Sequence, residues 1–268
     1  MAQKNIWLTW LPGQKSEQKP GEILLTLQKY GYETQGNNWI DDLDKMPWAN
    51  LVEVLKDKTA VDAWIVAGNR EDFASRTTLY GLAMVNLAAF EHREGSLPVI
   101  LLGLDFTPEV DNLPTPMRSN ILLSATTSAW TAKLVAAMSK FKKPEKEKMP
   151  EFRLITHAMA SLGQWFEVGP RQDEWQGVLF GVTEEGTITH HGVGPKGKVP
   201  AKTILQYAVE GMKAEVGGKE FTIWSVQNRL GPDDSYYIKV DKYPSYIVCA
   251  GHAGEEHGEA SIIRLSGV

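Results

Sequence analysis

Residues 134–152 read LVAAMSKFKKPEKEKMPEF, and the Lys/Glu/Pro run inside them separates two stretches of opposite organisation. Before it, the apolar runs IWLTWL (6–11), DAWIVAG (62–68), VILLGL (99–104) and ILLSAT (121–126) alternate with helix-like segments. That alternation is the pattern of a parallel α/β sheet. After it come extended runs, one helix-like segment and further extended runs. KKPEKEK (142–148) offers nothing apolar to bury, so it reads as a solvated linker. The expected organisation is an α/β domain over 1–141, a linker over 142–150 and an α+β domain with an antiparallel sheet over 151–268.

The composition suits two ordinary cores, with 43% hydrophobic and 23% charged residues in a chain of 268. A formal net charge of -5 supplies no field for phosphate backbones, so nucleic acid is not expected as a partner. The single cysteine, Cys249, excludes an internal disulfide framework and agrees with a reducing compartment. Residues 6–11, broken by Pro12-Gly13, are too short for a membrane span or a signal core. A cytoplasmic protein with no membrane association is the expectation.

In the first half, residues 6–11 form a doubly buried strand, and Pro20 opens a helix through Ile23, Leu24, Leu27 and Tyr30 until Gly31. Residues 46–55 are amphipathic, 61–68 are the next strand, 75–91 the next helix and 98–105 the third strand. Residues 121–125 repeat the strand theme, and Ser128 is the expected N-cap of a helix through Met138. Such alternation closes as a doubly wound, flavodoxin-like sheet. Ligands of these sheets sit beyond the carboxyl ends of the strands. That rule selects Gln14, Lys15 and Ser16 after the first strand, Asn69, Arg70, Glu71 and Asp72 after the second buried run, and Asp105 after the third. Together they would line a polar cleft suited to a phosphate, sugar or nucleotide. No G-x-G-x-x-G follows a strand and no G-x-x-x-x-G-K-[ST] occurs, which argues against dinucleotide and P-loop sites.

Ala67-Gly68 at a strand end, then Phe73, Ser75 and a helix leading into PVILLGL (98–104), resembles the middle of a TIR domain over about residues 5–140. TIR enzymes that cleave NAD place a glutamate early in the helix after that serine. This chain has Thr78, Leu79 and Leu82 there, and Glu91 lies about three turns too late. The resemblance therefore implies an adaptor or nucleotide-sensing role rather than hydrolysis.

In the second half, FRLITHAMASLGQWF (152–166) places Leu154, Ile155, Ala158, Met159 and Leu162 at helical spacing. Residues 175–182 and 187–193 read as a hairpin about Thr183-Glu184-Glu185-Gly186, and Pro200 opens a helix to Val216, closed by Gly217-Gly218. Strands are expected at 221–227, 236–240 and 246–250. This order, together with WQGVLFGVTEEGTI (175–188), resembles the roadblock/longin group of the profilin-like fold over about residues 152–260. That fold is an antiparallel sheet sandwiched by helices.

The segment 251–259 holds His252, His257 and three glutamates, residue types that bind divalent metals. Its glycines and the five-residue offset of the histidines favour a loop, so no metal is expected. His190 and His191 face opposite sides of a strand. Cys249, in the apolar run YIVCAG, reads as core rather than nucleophile. No acid, base or nucleophile is marked by motif, and no cofactor is expected. The reading is a signalling or scaffold protein acting through protein partners or as a homo-oligomer, with a nucleotide as the ligand the first domain would sense. The alternative is an enzyme acting on a small phosphorylated or nucleotide substrate at the edge of the first sheet, with Glu71, Asp72 and Asp105 as its candidate titratable groups.

Overall fold

The computed structural model describes residues 4–11, 20–145, 149–159, 162–251 and 260–267. The chain divides into two compact units, residues 1–146 with 267–268, and residues 147–266.

In the first unit β1 (Asn5–Trp10), β2 (Glu33–Asn38), β3 (Ala63–Gly68), β4 (Val99–Gly103) and β5 (Ile121–Ser124) form a parallel sheet of order β2-β1-β3-β4-β5. This is the doubly wound order of flavodoxin-like sheets. The helices are α1 (Pro20–Lys29), α2 (Trp48–Leu55), α3 (Arg76–Arg93) and α4 (Trp130–Lys140). On one face Ile23 and Leu27 of α1 and Leu134 and Met138 of α4 pack on Ile6, Leu8, Ile65, Ile100 and Leu102. Because β3 and β4 are covered on both sides, every residue in them is buried, and this is why they appear in the sequence as unbroken apolar runs. Trp64, wholly enclosed, satisfies its indole by donating to Thr9 Oγ1 at 2.9 Å.

Some expectations for this unit change. The cap of α4 falls at Ala129 without a side-chain hydrogen bond, not at Ser128. The start of the linker is seated: Lys143 pairs with Glu94 at 2.5 Å, and Pro144 fills the space above Gly95. Pro144 is the apolar residue that the linker reading left out.

The second unit is antiparallel, as expected, but among the described residues it holds no helix. Its strands are β6 (Phe152–Met159), β7 (Gly163–Pro170), β8 (Trp175–Val182), β9 (Gly186–Pro195), β10 (Val209–Val216), β11 (Lys219–Leu230), β12 (Asp234–Lys242), β13 (Tyr246–Gly251) and β14 (Ser261–Arg264). They form two sheets, β10-β11-β8-β13-β14 and β6-β7-β12-β9. The sheets share a core in which Phe166 of β7 meets Phe180 of β8 with ring centroids 5.4 Å apart.

Residues 152–166, read as a helix, are instead the β6–β7 pair. Leu154 is buried on the inner side and Ile155 on the outer side, so both faces are covered and the apolar residues lose their alternation. The helix expected over 200–216 is irregular chain followed by β10. Gly217 and Gly218 have φ of +57° and +72°, the two-residue turn of a β10–β11 hairpin rather than a helix terminator. The expected hairpin of 175–193 is also corrected. β8 and β9 are strands, but they belong to different sheets, and the Thr183–Gly186 turn carries the chain from one to the other.

Candidate functional site

α1 and α3 leave opposite faces of the first sheet, which puts the topological switch between β1 and β3. Gln14, Lys15 and Ser16 lie outside the described residues, as do His252 and His257. The remaining sequence-selected residues gather on the two loops that follow β3 and β4.

After β3 the chain turns tightly. Phe73 N–H and Asp72 N–H donate to Asn69 O, and Asp72 Oδ2 accepts Asn69 N–H at 2.8 Å. Burial pushes the Asp72 carboxyl up, the Asn69 N–H opposes this, and the neighbouring Asp105 and Glu71 reinforce the upward shift. Asp105 Oδ1 accepts Arg70 N–H at 2.9 Å and so ties the β3 loop to the β4 loop. Directly after β4 the chain folds back so closely that a Cβ at Gly103 would collide with the Phe106 carbonyl. This brings the Phe106 ring to 5.6 Å from Phe73 and under the Arg70 guanidinium, which stands 5.1 Å from the ring centroid. Among the described residues that guanidinium makes no ion pair.

Beside this stack lies a cleft of about 270 Å³, walled by Phe73, Leu79, Phe106, Pro108 and Leu113, with Arg70, Glu109 and Asn112 as its polar members. Asn112 Nδ2 donates to Glu109 at 3.2 Å, so that carboxylate has a partner.

The N-terminus of α3 is occupied by the chain's own acid. Asp41 accepts Thr77 Oγ1 at 2.7 Å, Thr78 Oγ1 at 3.1 Å and Ser75 Oγ at 3.4 Å, while Ser75 Oγ caps Thr78 N–H. A carboxylate is favoured there by the helix dipole and fills the place an external phosphate would take.

Sequence reasoning selected Asn69, Arg70, Glu71, Asp72 and Asp105 from the edge rule, and the structure brings Arg70 and Asp105 into contact. It missed Asp41 and Phe106. Phe106 follows a strand terminator, which is a signal for a folded-back aromatic; Asp41 sits in a polar stretch with none. Cys249 is buried and its thiol is pushed up to about 12 by that burial, consistent with core.

No protein-family model matches the chain, and no curated protein matches it. Among solved structures there is a likeness to ChBD3 from Thermococcus kodakarensis KOD1, at 11% identity over 38% of this chain and 85% of that one, with a TM-score of 0.22. ChBD2 of the same organism is similar at 12% identity over 40% of this chain and 93% of that one, with a TM-score of 0.24. Likenesses this low carry no functional argument.

Proposed function

We propose that the chain is a recognition protein of signalling or scaffold type, whose first unit reads the carboxyl terminus of a protein partner in the Arg70–Phe106 cleft. One observation carries this. The guanidinium of Arg70 is held over Phe106 without an anionic partner among the described residues, while the acids beside it are engaged by their own loops. An apolar cleft of about 270 Å³ accommodates one large side chain, and the unpaired guanidinium offers a two-pronged donor to the carboxylate that a chain terminus carries. Placement is typical of open α/β sheets, whose ligands lie beyond the carboxyl ends of the strands.

The charge around the cleft argues against the nucleotide expected from sequence. Asp41, Glu71, Asp72 and Asp105 lie along this edge, so a polyphosphate with several charges would meet far more repulsion than a single carboxylate, whose one charge Arg70 can pair. The finer family reading is a TIR-like member of the flavodoxin-like group, supported by strand order; the roadblock/longin reading of the second unit has its antiparallel strands but not its helices. The raised carboxyl of Asp72 is the feature that favours the enzymatic alternative, since catalytic acids are tuned in this way.

Amide-shift mapping tests the proposal. N-acetyl-phenylalanine should move the resonances of Arg70, Phe73, Phe106 and Leu113, and its carboxamide should move them far less. Equal responses to acid and amide, or shifts confined to other surfaces, would remove the cleft as a carboxylate reader.

A further inference from the structure

The outer face of the β6-β7-β12-β9 sheet is covered over two of its cross-strand rows and open over the next. In the covered rows Arg153, Gly169, Ser235 and Gly194 are in register, as are Ile155, Glu167, Tyr237 and Gly192. The segment following β9 lies across them. Pro200 packs on Gly192 and Gly194, Gly197 N–H donates to Glu167 Oε1 at 2.9 Å, and Lys198 N–H donates to the Tyr237 hydroxyl at 2.9 Å. Arg153 donates to the carbonyls of Pro170, Pro232 and Asp234 and to Ser235 Oγ, so both terminal nitrogens of its guanidinium are engaged within the covered part.

The open row runs His157, Trp165, Lys239, His190, one residue from each strand, all on one face by register. Neighbouring strands stand roughly 5 Å apart, so the row spans about 15 Å. His157, Trp165 and Lys239 are half-buried and His190 is exposed. Three features make this row a receptor rather than a solvated face. First, His157 is oriented from beneath: its Nε2 lies 2.7 Å from Glu167 Oε2, a carboxylate only 2% exposed, which leaves Nδ1 turned away from that partner. Second, the indole is fixed, with Trp165 Nε1 donating to Leu162 O at 3.2 Å. Third, neither the Lys239 ammonium nor the His190 ring makes a hydrogen bond or ion pair among the described residues. The Lys239 stem lies over Gly163, where a Cβ would stand 3.2 Å from its Cε, so the glycine makes room for it beside the indole. Asp241, next along β12 on this face, forms no ion pair with Lys239 among the described residues.

We infer that this row binds a nucleoside monophosphate, with the planar base stacked on Trp165 beside His157 and the phosphate held by Lys239 and its neighbour His190. The ring supplies a stacking platform, and the Lys239 ammonium with the adjacent His190 ring supplies an anion site, a pairing that matches a ligand joining a flat base to a dianion. The inference stands independently of the cleft in the first unit, because the two sites share no residue.

The test is a titration of the full chain with AMP, adenosine and inorganic phosphate, followed through the Trp165 indole N–H and the histidine ring resonances. AMP should bind at least about tenfold tighter than adenosine or phosphate, since only it engages both parts. Lys239→Ala should weaken AMP by about fivefold or more and leave adenosine unchanged. Trp165→Phe should keep most of the affinity and Trp165→Ala should lose it. If Trp165→Ala melts early, the surface changes Lys239→Ala and His190→Ala decide the matter alone. Adenosine or phosphate equal to AMP, unchanged AMP affinity in both Lys239→Ala and His190→Ala, or AMP shifts confined to the first unit would each overturn the assignment.

Discussion

Asp105 accepts the backbone N–H of Arg70 across 2.9 Å, joining two loops that are 35 residues apart in sequence. Its carboxylate therefore positions the residue that carries the proposed recognition, and it does so through an acceptor that an amide oxygen can replace. Asp105→Asn should retain stability to within about 0.5 kcal/mol, whereas Asp105→Ala should lose about 1 kcal/mol in urea unfolding. An alanine variant as stable as the asparagine variant would mean that the loops are held by something else.

At the start of α3 the ordinary rule for helix caps should invert. Ser75→Ala should cost about 1 kcal/mol by removing the acceptor of Thr78 N–H. Ser75→Asp, normally an equal cap, should cost more than alanine, because Asp41 Oδ2 already stands 3.4 Å from the Ser75 hydroxyl. Adding Asp41→Asn should recover part of that loss. Thermal unfolding of the three variants orders them directly.

The second unit should weaken on acidification in two stages. His191 is lowered by burial, although Glu210, accepting at 3.2 Å from Nε2, opposes this; Tyr236 lies 2.7 Å from Nδ1 and Trp224 edges the ring. A base lowered on folding binds its proton more readily when unfolded, so stability falls as pH drops from about 6.5 towards the folded value. Burial raises Glu167, but hydrogen bonds from His157, Gly197 N–H and Ser235 outweigh it and leave the carboxyl below its ordinary value. Its contribution is complete above about pH 4 and is lost as pH falls through the lowered folded value. His191→Gln should flatten the first stage and leave the second. Unfolding midpoints measured from pH 7 to 3 separate the two, and an unchanged first stage in His191→Gln would assign it elsewhere.

Much of the first unit was legible because strands covered on both faces are mostly apolar, so β3 and β4, and β1 apart from the hydrogen-bonded Thr9, announce themselves as apolar runs. β2 did not: ETQGNN lies at the sheet edge with no residue fully buried, and it is tied to β1 by backbone bonds and by Asn37, which accepts from Trp7 Nε1 and Thr9 Oγ1, a polar link that leaves no apolar pattern. In the second unit β6 was misread because its apolar residues serve two faces at once, and β10 because Ile204, Leu205, Ala208 and Met212 happen to repeat at helical spacing while Ile204 and Met212 are in fact exposed. The candidate cleft was half legible. The edge rule found Arg70 and Asp105, but the aromatic floor and the acid at the α3 terminus come from separate loops, where proximity is created by the fold and not by spacing.

The seated start of the linker shifts where proteolysis should begin. Lys143 is paired with Glu94 and Pro144 packs on Gly95, so tryptic cleavage after Lys142 should be slow and should speed up in Glu94→Gln, while Lys143, which precedes proline, resists trypsin in both. Mass spectrometry of the first fragments reads this, and equal cleavage after Lys142 in the native chain and Glu94→Gln would show that the pairing does not hold the segment.

The central claim is that Arg70 reads a carboxylate, and a two-by-two comparison tests it most directly. The affinities of N-acetyl-phenylalanine and of its carboxamide are measured by calorimetry for the native chain and for Arg70→Gln. The native chain should prefer the acid by about tenfold, and Arg70→Gln should show no preference while binding the amide as the native chain does. A preference for the acid that survives in Arg70→Gln, or none in the native chain, would contradict the account.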